Sequence, residues 1–240
     1  MPSQPICQVA HLGTVDYLRA WEIQHSLADR VRRGEAPNTL LLLEHPLVYT
    51  LGRLSKPEHV LLNQDELDSR GISIYETDRG GQVTFHGPGQ LVAYPIVNLR
   101  EWGGPVKYVR TLEQIILNTL NDLEIQGHVV EGLTGVWVGP SPHEAKIAAI
   151  GVKISQGVAF HGLSINVNID LSYYENIVPC GIEDRSVTSM AQALGHPSEE
   201  EAVRYSLAYQ FGRLMGLTMA DVDWHASPTF HLPKGHYPEL

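Results

Sequence analysis

The sequence predicts an α+β domain, a mixed-sheet α/β fold in which a β-sheet core is flanked by helices. Three observations lead there. Amphipathic helical stretches are few and far apart, and clusters of short β-rich runs fill the intervals between them. Helices and strands do not alternate strictly, which disfavours a doubly wound parallel sheet. No internal repeat, low-complexity tract or Ser/Gly/Pro-rich linker divides the 240 residues, so one domain is expected over 1–220, followed by a tail over 221–240 with no assigned role.

In chain order, 16–33 places Tyr17, Trp21, Ala28 and Val31 at helical spacing and stops at Gly34, a residue suited to a helix C-terminus. Strand-like runs follow at 39–44, 48–51, 72–75, 82–85 and 91–97, several bounded by Gly or Pro. Pro105 opens a second amphipathic helix through Val109, Leu112, Ile116, Thr119 and Leu123, with Gly127 beyond its end. Further strands are expected at 136–138, 146–155, 158–161 and 163–167. A third helix starts at Ser198, expected to cap it while Glu201 reaches back, and runs on through Val203, Leu207 and Leu214.

Composition removes several function classes. With 43% hydrophobic and 18% charged residues the chain is a folded protein, and its formal net charge of −10 disfavours a nucleic-acid binder, which needs a basic face. The longest apolar run, 40–43, is too short to span a bilayer, and the start MPSQPICQVAHLGT lacks a secretory signal pattern. No membrane association is expected, and the cytoplasm is the expected location. Cys7 and Cys180 are far apart with no CxxC, which fits a reducing compartment; Cys7 reads as a packing or exposed thiol. Twelve histidines occur without HExxH or HxH, so no metal is expected. Gly80-Gly81 and Gly87-Pro88-Gly89 match neither phosphate-loop pattern, so no nucleotide cofactor is expected either.

Three segments carry potential chemistry. The run from Arg79 to Leu91, RGGQVTFHGPGQL, combines four glycines and a proline with a cation and an imidazole. It could let backbone approach a ligand closely, or simply form a β-hairpin with Gly turns. Cys180 lies in IVPCGI, where Pro179 and Gly181 can create a bend that presents a thiol and frees a backbone N–H; an inert buried cysteine is the alternative. A thiol nucleophile needs a base. His86, His161, Lys146 and Lys153 are all candidates; the odd spacing puts the two lysines on opposite faces of a regular strand, so one could face the core, where desolvation would favour the neutral amine.

Together these segments resemble the lipoyl(octanoyl) transferases, in the biotin/lipoate protein ligase-like superfamily. The resemblance is carried by EHP at 44–46 with YTLG at 49–52, by 79–90, by GVWV at 135–138, by KIAAIG at 146–151, by FHGL at 160–163 and by VPCGI at 178–182. These occur in family order across roughly residues 10–215. The resemblance implies a biotin/lipoate protein ligase catalytic-domain fold over 1–220. It makes Cys180 the acyl-thioester nucleophile and chooses Lys146 over Lys153 as its proton partner. It also assigns the acyl site to Arg79, Gly80, Gly81, Gln82, Val83, Thr84, Phe85 and His86, to Ala149, Ile150 and Gly151, and to Gly162, Leu163 and Ser164. Phe85 stands where many relatives carry another aromatic residue.

The activity so implied is transfer of octanoyl from octanoyl-acyl carrier protein to a lysine of lipoyl domains. The expected acceptors are the E2 subunits of 2-oxoacid dehydrogenases and the glycine cleavage H protein; the enzyme is expected to be a monomer with no cofactor. Exchange of one thioester for another is close to thermoneutral and amide formation is downhill, so no nucleotide is required. Since each buried methylene contributes ~0.8 kcal/mol, discrimination against longer chains requires a cavity with a fixed end. An acidic carrier protein meeting a chain of charge −10 further calls for a local basic rim, for which Arg53, Lys56, Arg79 and Lys153 are candidates. The rival readings are an ATP-dependent ligase of the same fold, a cysteine hydrolase using His161 or His86, and a non-catalytic carrier-binding module.

Overall fold

The leucines at 40–43 are all buried, Leu40 and Leu42 in one apolar cluster and Leu41 and Leu43 in another. Side chains alternate along a strand, so such a run needs a covering layer on each side. The computed structural model describes residues 4–178 and 186–224. In order, the elements are β1 (Ile6–Thr14), α1 (Tyr17–Arg33), β2 (Asn38–Glu44), β3 (Val48–Leu51), α2 (Gln64–Ser69), β4 (Ser73–Glu76), β5 (Val83–His86) and β6 (Gln90–Asn98). Then come α3 (Pro105–Asp122), β7 (His128–Val130), β8 (Leu133–Val138), β9 (Ala145–Ser155), β10 (Val158–Asn166), β11 (Ser186–Val187), α4 (Met190–Leu194), α5 (Glu200–Met215) and β12 (Thr218–Asp221).

The main sheet runs β12-β1-β2-β6-β10-β9-β8-β7, with β11 added in parallel to β9. It is parallel from β12 to β2 and antiparallel from β2 to β7, the mixed sheet expected. On one face α3 and α5 set Leu112, Ile116, Leu207 and Phe211 against Leu40, Leu42, Leu91 and Ala93. On the other, α1 sets Ile23, Leu27 and Val31 against Leu41, Leu43 and Ile96. Burying each such side chain contributes roughly 1.5–3 kcal/mol, so β2 and β6 are the centre of the fold. A small sheet, β4-β3-β5, packs with Leu67, Tyr174 and Ile177, and reaches α1 through Tyr17, Trp21 and Val48.

The helix limits follow local chemistry in one case and distant contacts in another. Asp16 caps α1 by accepting from the amides of Leu18 and Arg19, and Gly34 closes it at φ 73°. The cap expected at Ser198 does not form. Glu199 is the N-cap residue, because Asn168 takes the backbone N–H and C=O of Ser198 at 2.9 and 3.0 Å. The runs expected at 158–161 and 163–167 form one strand, β10, continuous through Gly162. A Cβ at Gly162 would collide with the Ala93 carbonyl and Pro95; the β6 ladder has no pairs at 160–162, where Pro95 offers no N–H. Among the described residues β1, α2, β7, β11, α4 and β12 lie outside the elements expected from sequence. Beyond β12, Val222 and Trp224 pack against the cluster under α1. Cys7 is a packing thiol, fully buried, and burial pushes its pKa up to about 12.

Candidate active site

Three segments distant in sequence meet around a cavity of about 230 Å³. The stretch leading into β5 contributes Arg79, Gly81, Gln82, Val83, Thr84 and His86. From β9 come Lys146, Ala149, Ile150 and Gly151, and from β10 come Gly162, Leu163 and Ser164. Two residues expected in the site do not line this cavity. Gly80 lies on β9: its N–H donates to the Val152 carbonyl at 3.1 Å, and a Cβ on Gly151 would sit 2.9 Å from the Gly80 oxygen. Phe85 points the other way, fully buried and stacked on Tyr173 at 4.9 Å. Cys180 lies outside the described residues.

The described residues on either side of 179–185 are held differently, and only the C-terminal flank reaches the cavity, through Val187. On the N-terminal side the Val178 amide donates to His59 O at 2.9 Å. On the C-terminal side, Ser186 and Val187 pair with Ala145 and Lys146, and the Thr188 amide donates to Lys146 O at 3.0 Å. Lys146 sits opposite Trp137 in the β8–β9 ladder, where a register shift leaves Ile147 as an extra residue. Its ammonium lies 4.7 Å from the Trp137 ring centroid, a cation–π contact. Gly135 makes room for the Ala148 carbonyl, which a Cβ would approach to 2.7 Å, while the same Cβ would meet Lys146 Cε at an ordinary 3.5 Å contact. Lys153 has different surroundings, ion-paired with Asp78 and 5.5 Å from the Phe160 ring centroid.

Hydrogen-bond partners fix the histidines. His45 donates from Nδ1 to the Val15 carbonyl at 2.7 Å, so its Nε2 accepts from the Tyr94 hydroxyl at 2.7 Å. His86 donates from Nδ1 to Gln90 Oε1 at 2.6 Å, and the Gln90 amide nitrogen donates to Asn166 Oδ1 at 2.9 Å. The Asn166 amide in turn donates to Thr188 O, which ties this network to the chain just beyond 179–185. Burial lowers the pKa of His45 to about 4; burial and then the nearby His45 lower that of His86 to about 3, so both are neutral at pH 7. His161 is also lowered, by burial that outweighs Asp78, and donates from Nε2 to Asp78 Oδ1 at 2.7 Å. For Asp78, burial favours the acid form, but hydrogen bonds from His161 and Lys153 outweigh it and hold the carboxyl below its usual range.

Arg79 is buried and donates to Thr50 O at 2.6 Å, Thr50 Oγ1 at 2.8 Å and Gly80 O at 3.0 Å. Of the residues expected to form a basic rim, Lys153 pairs with Asp78, Arg79 is turned inward, Lys56 lies 3.7 Å from Glu58, and Arg53 is exposed. Nothing local in the sequence marks Tyr17, Tyr94, Asn166 or Tyr174, which also line the cavity, because long-range packing brings them there. The whole arrangement offers a partly open cavity with aromatic and aliphatic walls, neutral imidazoles, one guanidinium and one amine.

Residues 16–212 match the family model for the lipoyl protein ligase A/B catalytic domain. The chain is 45% identical to an octanoyltransferase of Acidobacterium capsulatum, over 95% of this chain and 97% of that protein. It is 49% identical to an octanoyltransferase of Chloroflexus aurantiacus, over 87% and 94% respectively. Among solved structures, the bipartite lipoate protein ligase of Thermoplasma acidophilum superposes with a TM-score of 0.71 at 15% identity, covering 94% of this chain and 89% of that one; this likeness concerns the fold.

Proposed function

The chain belongs to the lipoyl protein ligase A/B catalytic-domain family and is an acyltransferase that moves octanoyl groups in protein lipoylation, and from that premise we propose a two-step transfer through Cys180 and Lys146. The donor is octanoyl-acyl carrier protein. The acceptors are lysines of lipoyl domains in 2-oxoacid dehydrogenase E2 subunits and the glycine cleavage H protein. The enzyme works as a cytoplasmic monomer, with residues 1–220 as its catalytic unit.

In the first step the Cys180 sulfur attacks the donor's thioester carbonyl. Its proton passes to the Lys146 amine, a new S–C bond forms, and the pantetheine S–C bond breaks as Lys146 returns the proton to the leaving thiol. In the second step the acceptor amine attacks the Cys180 thioester. Lys146 takes the proton from that nitrogen and gives it to the departing cysteine sulfur, leaving an amide. The glycine-lined segments let backbone approach the acyl carbon closely, and one well-placed N–H toward the developing oxyanion is worth roughly 3–4 kcal/mol.

The observation that carries this reading is the shared cavity of Lys146 with the three acyl-site segments, together with the register pairing of Val187 with Lys146 and the hydrogen bond from the Thr188 amide to the Lys146 carbonyl. The test is intact-mass measurement after mixing with octanoyl-acyl carrier protein. The wild-type protein gains one octanoyl group, Cys180→Ala gains none, and Lys146→Ala acquires it far more slowly. Release of free octanoate with no transfer to a lipoyl domain would instead identify a hydrolase, and a requirement for ATP with free octanoate would identify a ligase.

A further inference from the structure

We propose that Asp78 is a positioning residue that locks the wall of the acyl cavity and thereby sets how sharply the enzyme discriminates acyl-chain length; this rests on the acyl-transfer reading above. Asp78 immediately precedes Arg79, at the entrance to the first lining segment. One carboxylate oxygen accepts from His161, the neighbour of Gly162 on β10, at 2.7 Å. The other accepts from Lys153, two residues beyond Gly151 on β9. His25 of α1 stands 4.0 Å from that second oxygen. One side chain therefore joins all three strips of chain that line the cavity, across sequence separations of 75 and 83 residues.

Backbone contact makes the joint consequential. Gly80 rests on β9 through its N–H to Val152, and Gly151 has no room for a methyl group beneath Gly80. The first segment thus lies in direct backbone contact with β9, and the Asp78 ion pair clamps it beside that contact. Neither Asp78 nor Lys153 lines the cavity, so the effect on an acyl chain is indirect. A wall that can yield accepts additional methylenes, whereas a clamped wall rejects them.

The experiment compares kcat/KM for octanoyl- and dodecanoyl-acyl carrier protein in the wild type, Asp78→Asn and Lys153→Met, with Asp29→Asn as a control that removes an exposed α1 ion pair to Arg32. Asn at 78 can still accept from His161 but turns a donor toward Lys153. Its octanoyl preference is expected to fall about ten-fold. Lys153→Met, which spares the His161 bond, is expected to lose part of the preference, and the control none. Parallel loss of both activities with the preference intact in Asp78→Asn would overturn the proposal. If Asp78→Asn does not fold, an unchanged preference in Lys153→Met overturns it instead. A wild type that transfers no octanoyl at all would sink the acyl-transfer reading itself, a result distinct from unchanged selectivity.

Discussion

The two sides of the cavity are built on opposite principles, although β9 contributes to both. At the Lys146 end, an ammonium lies over the Trp137 ring at a point where the strand bulges, next to the short β11 pairing. At the Lys153 end, the ammonium is ion-paired to Asp78, which is also bonded to the buried imidazole of His161. Two lysines seven residues apart on one strand thus have different surroundings. The proposed proton carrier lines the cavity beside an aromatic ring, whereas the other is held outside the cavity by a carboxylate.

Exchanging the lysines by mutation gives the largest contrast. Lys146→Ala is expected to slow octanoyl transfer by about 10²–10⁴-fold, the usual span for losing a general acid–base, and Lys153→Ala by less than about ten-fold, in single-turnover assays with octanoyl-acyl carrier protein. Equal losses would erase the division of labour.

Acid probes the buried imidazoles next. His45 and His86 take up protons near pH 6.5 when unfolded but only near 4 and 3 when folded. The unfolded state binds more protons across that interval, so stability is full above about pH 6.5 and is lost as pH falls toward 4 and then 3. His45 alone should remove on the order of 3 kcal/mol by pH 4. Thermal unfolding between pH 8 and 4 should show a falling Tm, with a shallower slope in His45→Gln; identical slopes would mean that His45 does not carry this charge-suppression cost.

The smallest effect expected is that of Gly151→Ala. Its methyl group would press on the Gly80 carbonyl, costing about 1–3 kcal/mol and raising KM for the octanoyl donor more than it lowers kcat. A variant with wild-type KM would show that the first segment and β9 can separate without consequence for the site.

Much of this was legible because local chemistry decided it. The helix at 16–33 carries its own cap and stop, and the strand at 48–51 appears with the bounds expected. Of the lining segments, 79–91 is marked by its own glycine-rich composition, whereas 149–151 and 162–164 are reached only through the family resemblance. Elsewhere the deciding partner is remote. β1 lacks a clean alternation and is held by β12, more than 200 residues away, as well as by β2. The Ser198 cap pattern yields to Asn168. Phe85 shares a strand with lining residues but faces Tyr49, Tyr173 and Tyr174. Asp78 has no local signature, since its partners come from three other elements.

The uncharged state of His45 and His86 has a further consequence for the interior. Strands that approach one another closely need polar braces, and a neutral imidazole serves without the hydration that a buried charge demands: His45 links Val15 to Tyr94, and His86 holds Gln90.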